Sequence, residues 1–227
     1  MAFNDDSFIR EVNEELRSDQ LRFVWRRFGR LIIAGAVLIV LGTAGYSGYR
    51  YWAGNQAGSG GDQFLAAMTL ADQNKTDEAL AALSAIEKDG HGSYPLLARM
   101  RAATLQAQKG DTAGAIAAFS AIGKEADIPV VVRDAARLRA AYLLVDTGTY
   151  DQVAAEAQEL AVPADAFRHS ARDVLGLAAY KAGDLAKARQ WFQAIVDDPQ
   201  SPRNVANRAQ MLLDLITATG KAPVANG

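Results

Sequence analysis

The chain repeats itself at the length of a helical hairpin. Four segments, ALAALSAI (79–86), AIAAFSAI (115–122), VAAEAQEL (153–160) and ARQWFQAI (188–195), follow one another at offsets of 36, 38 and 35 residues. A unit of that size holds two helices and two turns but cannot bury its apolar face alone, so the period predicts a stacked array of hairpins. Five residues ahead of the segments stand Asn74, Gly110, Gly148 and Gly183, residue types that tolerate the left-handed backbone at a helix C-terminus. Ala67, Ala103, Ala141 and Gly176 share one position of the first helices, where small side chains let paired helices approach closely. Pro95, Pro129, Pro163 and Pro202 punctuate the gaps between hairpins, as residues that cannot continue a helix should. Residues 202–219 are expected to form a last helix capping repeat four, which sets the repeat domain at 62–219. Half the residues are hydrophobic and only 8% aromatic, a composition suited to closely packed helices rather than to a sheet, and the expected class is all-α.

A second feature limits where the chain can reside. Leu31 to Tyr49 is a run of 19 residues without a charge, and at 1.5 Å per residue it spans about 28 Å, close to the thickness of a bilayer's hydrocarbon core. Trp25 and Phe28 lie at one end, and Tyr46, Tyr49, Tyr51 and Trp52 at the other, where amphipathic rings sit at a membrane interface. A single transmembrane helix is expected over 31–52. Arg22, Arg26, Arg27 and Arg30 precede the run, whereas only Arg50 follows it closely, so the positive-inside rule keeps the N-terminus cytoplasmic and exposes the repeats on the other side of a cell inner membrane. The 30 residues ahead of the run contain six acids, which argues against a cleaved signal peptide despite the small residues Gly42-Thr43-Ala44.

The flanks complete the domain map. Residues 1–30 read as a cytoplasmic amphipathic tail, with Asp6 or Ser7 as a helix cap and Phe8, Val12, Leu16 and Phe23 near one face. Residues 53–61 read as a flexible linker; Gly58-Ser59-Gly60 lacks the following Lys and preceding strand of a phosphate loop. Residues 220–227 read as a disordered tail. The net charge of −2 and the lack of a basic face exclude nucleic acid as a partner, and with no cysteine there is neither a disulfide framework nor a thiolate zinc site.

The repeats resemble tetratricopeptide repeats. The small residue of that pattern's first helix falls on Ala67, Ala103, Ala141 and Gly176, and the Ala of its second helix on Ala79, Ala115 and Ala188, with Val153 in the third repeat. The large residue four positions on is Leu83, Phe119 and Phe192, while Ala157 departs from the pattern. The whole layout resembles the ancillary subunit family of the SecYEG translocon, on the strength of Phe8-Ile9-Arg10-Glu11-Val12, Trp25-Arg26-Arg27-Phe28-Gly29, Tyr49-Arg50-Tyr51-Trp52 and the alanine-rich repeats. That resemblance implies a membrane-anchored periplasmic adaptor associated with the translocon and with periplasmic chaperones or newly exported clients.

Catalysis is not expected, and neither a cofactor nor a metal site is predicted. His91 and His169 are the only histidines; Asp173 stands one turn from His169 and can orient its ring, but no nucleophile or ligand cluster accompanies them, so a surface helix position is the expectation for His169. Binding is better supported. In tetratricopeptide geometry the first helices line a groove, whose positions fall on Phe64, Met68, Met100, Leu138, Tyr142, Val145, Leu177 and Tyr180; these side chains either face an extended apolar ligand or fill the core of the repeats. Arg99, Arg137 and Arg172 share one repeat position, either as a basic stripe or as solvated helix residues. Ala44, Gly45 and Gly48 have the small-residue spacing that lets a membrane helix pack on another. The partners expected are therefore proteins and the lipid bilayer, and the alternative role is an envelope scaffold organising a cell-division or cell-wall assembly.

Overall fold

The computed structural model describes residues 5–219, and their side chains apart from those of residues 5–24, 32 and 52–57. The amphipathic face expected before residue 25 and the disorder expected over 220–227 lie outside what is described. The fold is all-helical, with nine α-helices and one 3₁₀ turn among the described residues. It divides into two units, Met1–Ser59 and Gly60–Gly227.

The first unit is built on α1, Asp5–Asp72. Within it Trp25–Tyr51, 27 residues, is apolar and long enough to cross a membrane. Its large side chains, among them Leu38, Ile39, Val40 and Leu41, are exposed, the reverse of what a helix buried in a soluble core shows. Within its apolar stretch Thr43 Oγ1 donates to the Ile39 carbonyl at 2.6 Å, which satisfies that hydroxyl inside the helix. The arginines at its ends lie beside rings, with Arg27 5.9 Å from Phe28 and Arg50 5.8 Å from Tyr46.

Helix α1 continues through residues 53–61, where the composition predicts a flexible linker. Glycine weakens a helix by about 1 kcal/mol per residue but, unlike proline, leaves its hydrogen-bond ladder intact. Two of these glycines are packing residues of the second unit. A Cβ added at Gly60 would lie 2.8 Å from Tyr94 Cδ2, and one at Gly61 would lie 3.0 Å from Tyr94 Oη. The Tyr94 ring thus rests on bare helix backbone, with the Phe64 ring 6.2 Å away.

The second unit pairs successive helices: the end of α1 with α2 (Thr76–Asp89), α3 (Tyr94–Lys109) with α4 (Thr112–Lys124), α5 (Val130–Thr147) with α6 (Tyr150–Ala157), and α7 (Arg168–Lys181) with α8 (Leu185–Val196); α9 (Arg203–Ala218) closes the array. Each second helix of the last three hairpins starts on a side-chain cap. Asp111 accepts from the Gly114 amide, Asp184 accepts from the Lys187 amide, and Thr149 and Gln152 form a reciprocal capping box. The turns have φ of 60° at Asn74, 96° at Gly110 and 78° at Gly183. Gly148 differs from the expected left-handed turn: its φ is −108° and its ψ −172°, because Thr149 enters α6 from an extended backbone. The position is crowded: an added Cβ would lie 2.9 Å from the side-chain ends of Gln152 and Leu144, which would have to move, and 3.1 Å from the Leu144 carbonyl oxygen.

The repeat positions become the core. Ala67, Ala103, Ala141, Ala79, Ala115, Val153 and Ala188 are fully buried, as is Gly176, where an added Cβ would come 2.6 Å from the Phe192 ring. The departure at Ala157 has a structural counterpart. Helix α6 stops at Ala157, and a 3₁₀ turn over Gln158–Ala161 follows, so that Leu160 replaces the missing large side chain in the core.

Candidate protein-binding site

The first helices of the hairpins present half-buried side chains above the core. Phe64 packs on the cluster around Leu83 and Leu105, Met100 on that around Phe119 and Ile122, Tyr142 and Val145 on that around Leu144 and Val174, and Leu177 and Tyr180 on that around Phe192 and Ile216. Met68 is half-buried as well. Leu138 is 9% exposed and belongs to the core itself. Its neighbour Arg139 takes the outward direction, because consecutive residues of a helix are about 100° apart. Ala44, Gly45 and Gly48 lie in the first unit; all three are exposed, and a Cβ added at either glycine would meet nothing within 4 Å.

Two recesses open among the repeats. One, of about 250 Å³, lies beside the turn at Gly148 and Thr149, where Lys181 is already engaged: its Nζ donates to the Val145 carbonyl at 2.7 Å and to that of Asp146. This cation satisfies the end of α5, which has no basic residue in its own last turn. The other, of about 240 Å³, is lined by Thr104 and Ala107 of α3, Phe119 of α4, and Arg139, Tyr142 and Leu143 of α5. It exists because α3 and α5 make little backbone contact, whereas α5 and α7 pack directly. Its walls are almost wholly apolar. Sequence reasoning singled out Phe119 and Tyr142 but not Thr104, Ala107, Arg139 or Leu143; Arg139 beside Leu138 was the available signal.

Arg99, Arg137 and Arg172 form neither a basic stripe nor a set of solvated residues. Each closes the C-terminal ends of second helices. Arg99 Nη1 donates to Glu125 Oε2 at 2.8 Å, just beyond α4, and its Nε lies 3.6 Å from Glu87 near the end of α2. Arg137 Nη1 reaches Glu159 at 2.8 Å and its Nη2 donates to the Ala155 carbonyl, while its stem passes so close to Gly123 that a Cβ there would lie 2.4 Å from Cγ. Arg172 donates to the carbonyls of Ala161 at 3.1 Å and Ala194 at 2.9 Å, and to Asp198. One repeat position therefore ties together the ends of second helices: Arg137 and Arg172 satisfy carbonyls that a helix terminus leaves open, while Arg99 pairs with carboxylates at those ends. The pKa of Glu125 is lowered chiefly by its hydrogen bond from Arg99.

His169 also departs from expectation. It is buried, 8% exposed, and its Nε2 lies 2.9 Å from Asp198 Oδ2 rather than pairing with Asp173. Arg168 Nε reaches the same oxygen at 2.9 Å, and the Gln200 amide donates to Oδ1. Asp198 is held well below the usual carboxylate range, first by Arg168 and then by the Gln200 amide. Asp173, fully buried, instead accepts from Tyr142 Oη at 3.0 Å and from Arg208 Nε at 3.1 Å, joining α5, α7 and α9. Burial is the main cause raising the Asp173 pKa and pushing that of Tyr142 up to about 12. Asp173 is thus turned to other helices, and the partner of His169 lies in a loop 29 residues away.

A hairpin array with half-buried side chains along its first helices, and with Arg99, Arg137, Arg172, Asp173 and Asp198 engaged in joining its helices, defines a helical-repeat scaffold for protein binding, a class that is typically non-catalytic. A family model described as tetratricopeptide repeat-like domain matches residues 22–218, and the chain belongs to that family. Neither the search of curated proteins nor that of solved structures returned a match.

Proposed function

We propose that the protein is a membrane-tethered adaptor, an ancillary subunit of the SecYEG translocon whose repeats face the periplasm and receive periplasmic chaperones or newly exported chains. The observation that carries this reading is the joining of an exposed, bilayer-length helix at Trp25–Tyr51 to a tetratricopeptide repeat-like domain, with one family match covering both from residue 22 to 218. The arginines before the helix support a cytoplasmic N-terminus and a cell inner membrane. The open faces of Ala44, Gly45 and Gly48 suit packing against a second membrane helix. The half-buried row from Phe64 to Tyr180 suits an extended apolar ligand, with Leu138 contributing from beneath.

The test is recovery of the translocon core with the full-length protein in mild detergent, repeated with residues 31–49 replaced by polyleucine. The expected result is co-purification that weakens with the replacement while membrane insertion persists. Absence of the translocon from preparations of the unaltered protein sinks the proposal, and one fixed envelope partner in its place establishes the alternative of a cell-division or cell-wall scaffold.

A further inference from the structure

The recess between α3 and α5 has at its rim an arginine that is paired with no carboxylate among the described residues. The arginines that join hairpins end on carboxylates: Arg99 on Glu125, Arg137 on Glu159, Arg168 and Arg172 on Asp198, and Arg208 on Asp173. Arg139 is exposed and has no described carboxylate within 4.0 Å. It donates instead to the Thr104 hydroxyl at 3.2 Å, and its guanidinium carbon stands 5.8 Å from the centre of the Phe119 ring. The cation is thus held at the rim, with a ring beneath it and the apolar walls of Ala107, Tyr142 and Leu143 beside it. A volume of about 240 Å³ falls below the roughly 300–1,000 Å³ of sites for whole small ligands, and suits a single large side chain.

We propose that this recess is a peptide subsite, which takes one bulky apolar side chain of an extended polypeptide and pairs Arg139 with the carboxylate of the acidic residue next to it. Charge complementarity selects this occupant. A purely apolar segment would leave Arg139 unpaired while covering it, and a basic one would meet like charge; both are disfavoured when water is displaced. The acidic residue converts the weak contact with the Thr104 hydroxyl into a charge-assisted pair. The recess therefore discriminates on sequence, where a uniform apolar groove would not. This inference rests on the protein-adaptor reading and gives it a ligand chemistry.

The chain has no cysteine, so a single Ala107→Cys substitution supplies one attachment point for an environment-sensitive dye at the recess. The full-length labelled protein in detergent is titrated with four synthetic peptides of Gly/Ser sequence carrying Phe-Asp, Phe-Asn, Phe-Lys or Ala-Asp at the centre. The expected order is Phe-Asp tightest, with at least a tenfold loss for Phe-Lys and for Ala-Asp. Anisotropy titrations of the same peptides, fluorescein-labelled, against unlabelled Arg139→Glu protein should reverse the preference between Phe-Asp and Phe-Lys. That charge exchange separates recognition from damage, since a misfolded variant would bind neither. Equal affinity for Phe-Asp and Phe-Lys, no binding of any peptide, or Ala107→Trp leaving Phe-Asp affinity intact overturns the subsite. Self-association abolished by Ala107→Trp overturns it too, because the occupant is then a second copy. Translocon recovery measured on the same preparations keeps the two proposals apart: peptide discrimination without the translocon removes only the translocon reading, and the translocon without peptide discrimination removes only the subsite.

Discussion

Asp173 and Asp198 are alike in sequence and opposite in physics. Asp198 accepts hydrogen bonds from Arg168, Arg172, His169 and the Gln200 amide, and its folded pKa lies below the ordinary 3.8. Its stabilising contribution is complete above that ordinary value and is lost as the pH falls through the depressed folded one. Asp173 is shifted upward by burial, which outweighs its bonds from Arg208 and Tyr142. In the folded state it therefore takes up its proton first, and its charge costs stability at pH 7 that is relieved as the pH falls toward 3.8. Asp198→Asn is expected to lower the thermal midpoint at pH 7, with the gap to the parent closing below pH 3.8. Asp173→Asn should leave the midpoint unchanged or raise it, because Asn retains an acceptor for Tyr142 and Arg208 is exposed enough to return to water. Thermal melts of both variants across pH decide this; a larger loss for Asp173→Asn than for Asp198→Asn would mean that the Arg208 pair outweighs burial.

Among elements, the hairpin is the unit whose energetics the glycines divide into two kinds. Gly183 has φ of 78° with open space around it, whereas Gly176 is helical and faces the Phe192 ring. At Gly183 the backbone is the obstacle, so Ala there should cost about 1–2 kcal/mol and Asn, which tolerates the left-handed region, clearly less. At Gly176 packing is the obstacle. Ala should cost about 1–3 kcal/mol by forcing α7 and α8 apart, and Asn at least as much. Urea denaturation of the four variants tests the contrast, and equal behaviour of Asn and Ala at Gly183 would contradict the turn's role. The 3₁₀ turn after α6 belongs to the same scale: with Ala157 small, the chain tightens and brings Leu160 into the core.

For the whole molecule, the structural boundary falls between Ser59 and Gly60. The second unit has its own buried clusters, running from Ala67 to Ile216, while the first offers exposed apolar side chains suited to lipid. Residues 60–227 expressed alone are therefore expected to be soluble, strongly helical by circular dichroism and cooperative in thermal unfolding. An insoluble or largely strand-like product would reject this division. The repeats need the preceding glycine pair, so a truncated chain beginning at residue 62 should melt lower than one beginning at 60, having lost the backbone on which Tyr94 rests.

Periodicity and local chemistry were enough to determine the helical class, the hairpin period, the small buried positions and the membrane-length helix, because these depend on patterns within one helix or one turn. The extended backbone at Gly148 was hidden, since glycine serves both a left-handed turn and a crowded one. The roles of Arg99, Arg137 and Arg172 were hidden for a different reason. Their shared position was visible, but their partners lie at the far end of the same hairpin and, for Arg99 and Arg172, also on the hairpin before it, at distances along the chain that no local pattern encodes. For His169 the visible acid was the one a turn away, while the packing of α7 against α8 brought Asp198 closer. The recess was the least legible feature, since it arises from the separation of α3 and α5. Which side chains face a gap between helices is decided by how the hairpins stack, and only the tertiary structure contains that.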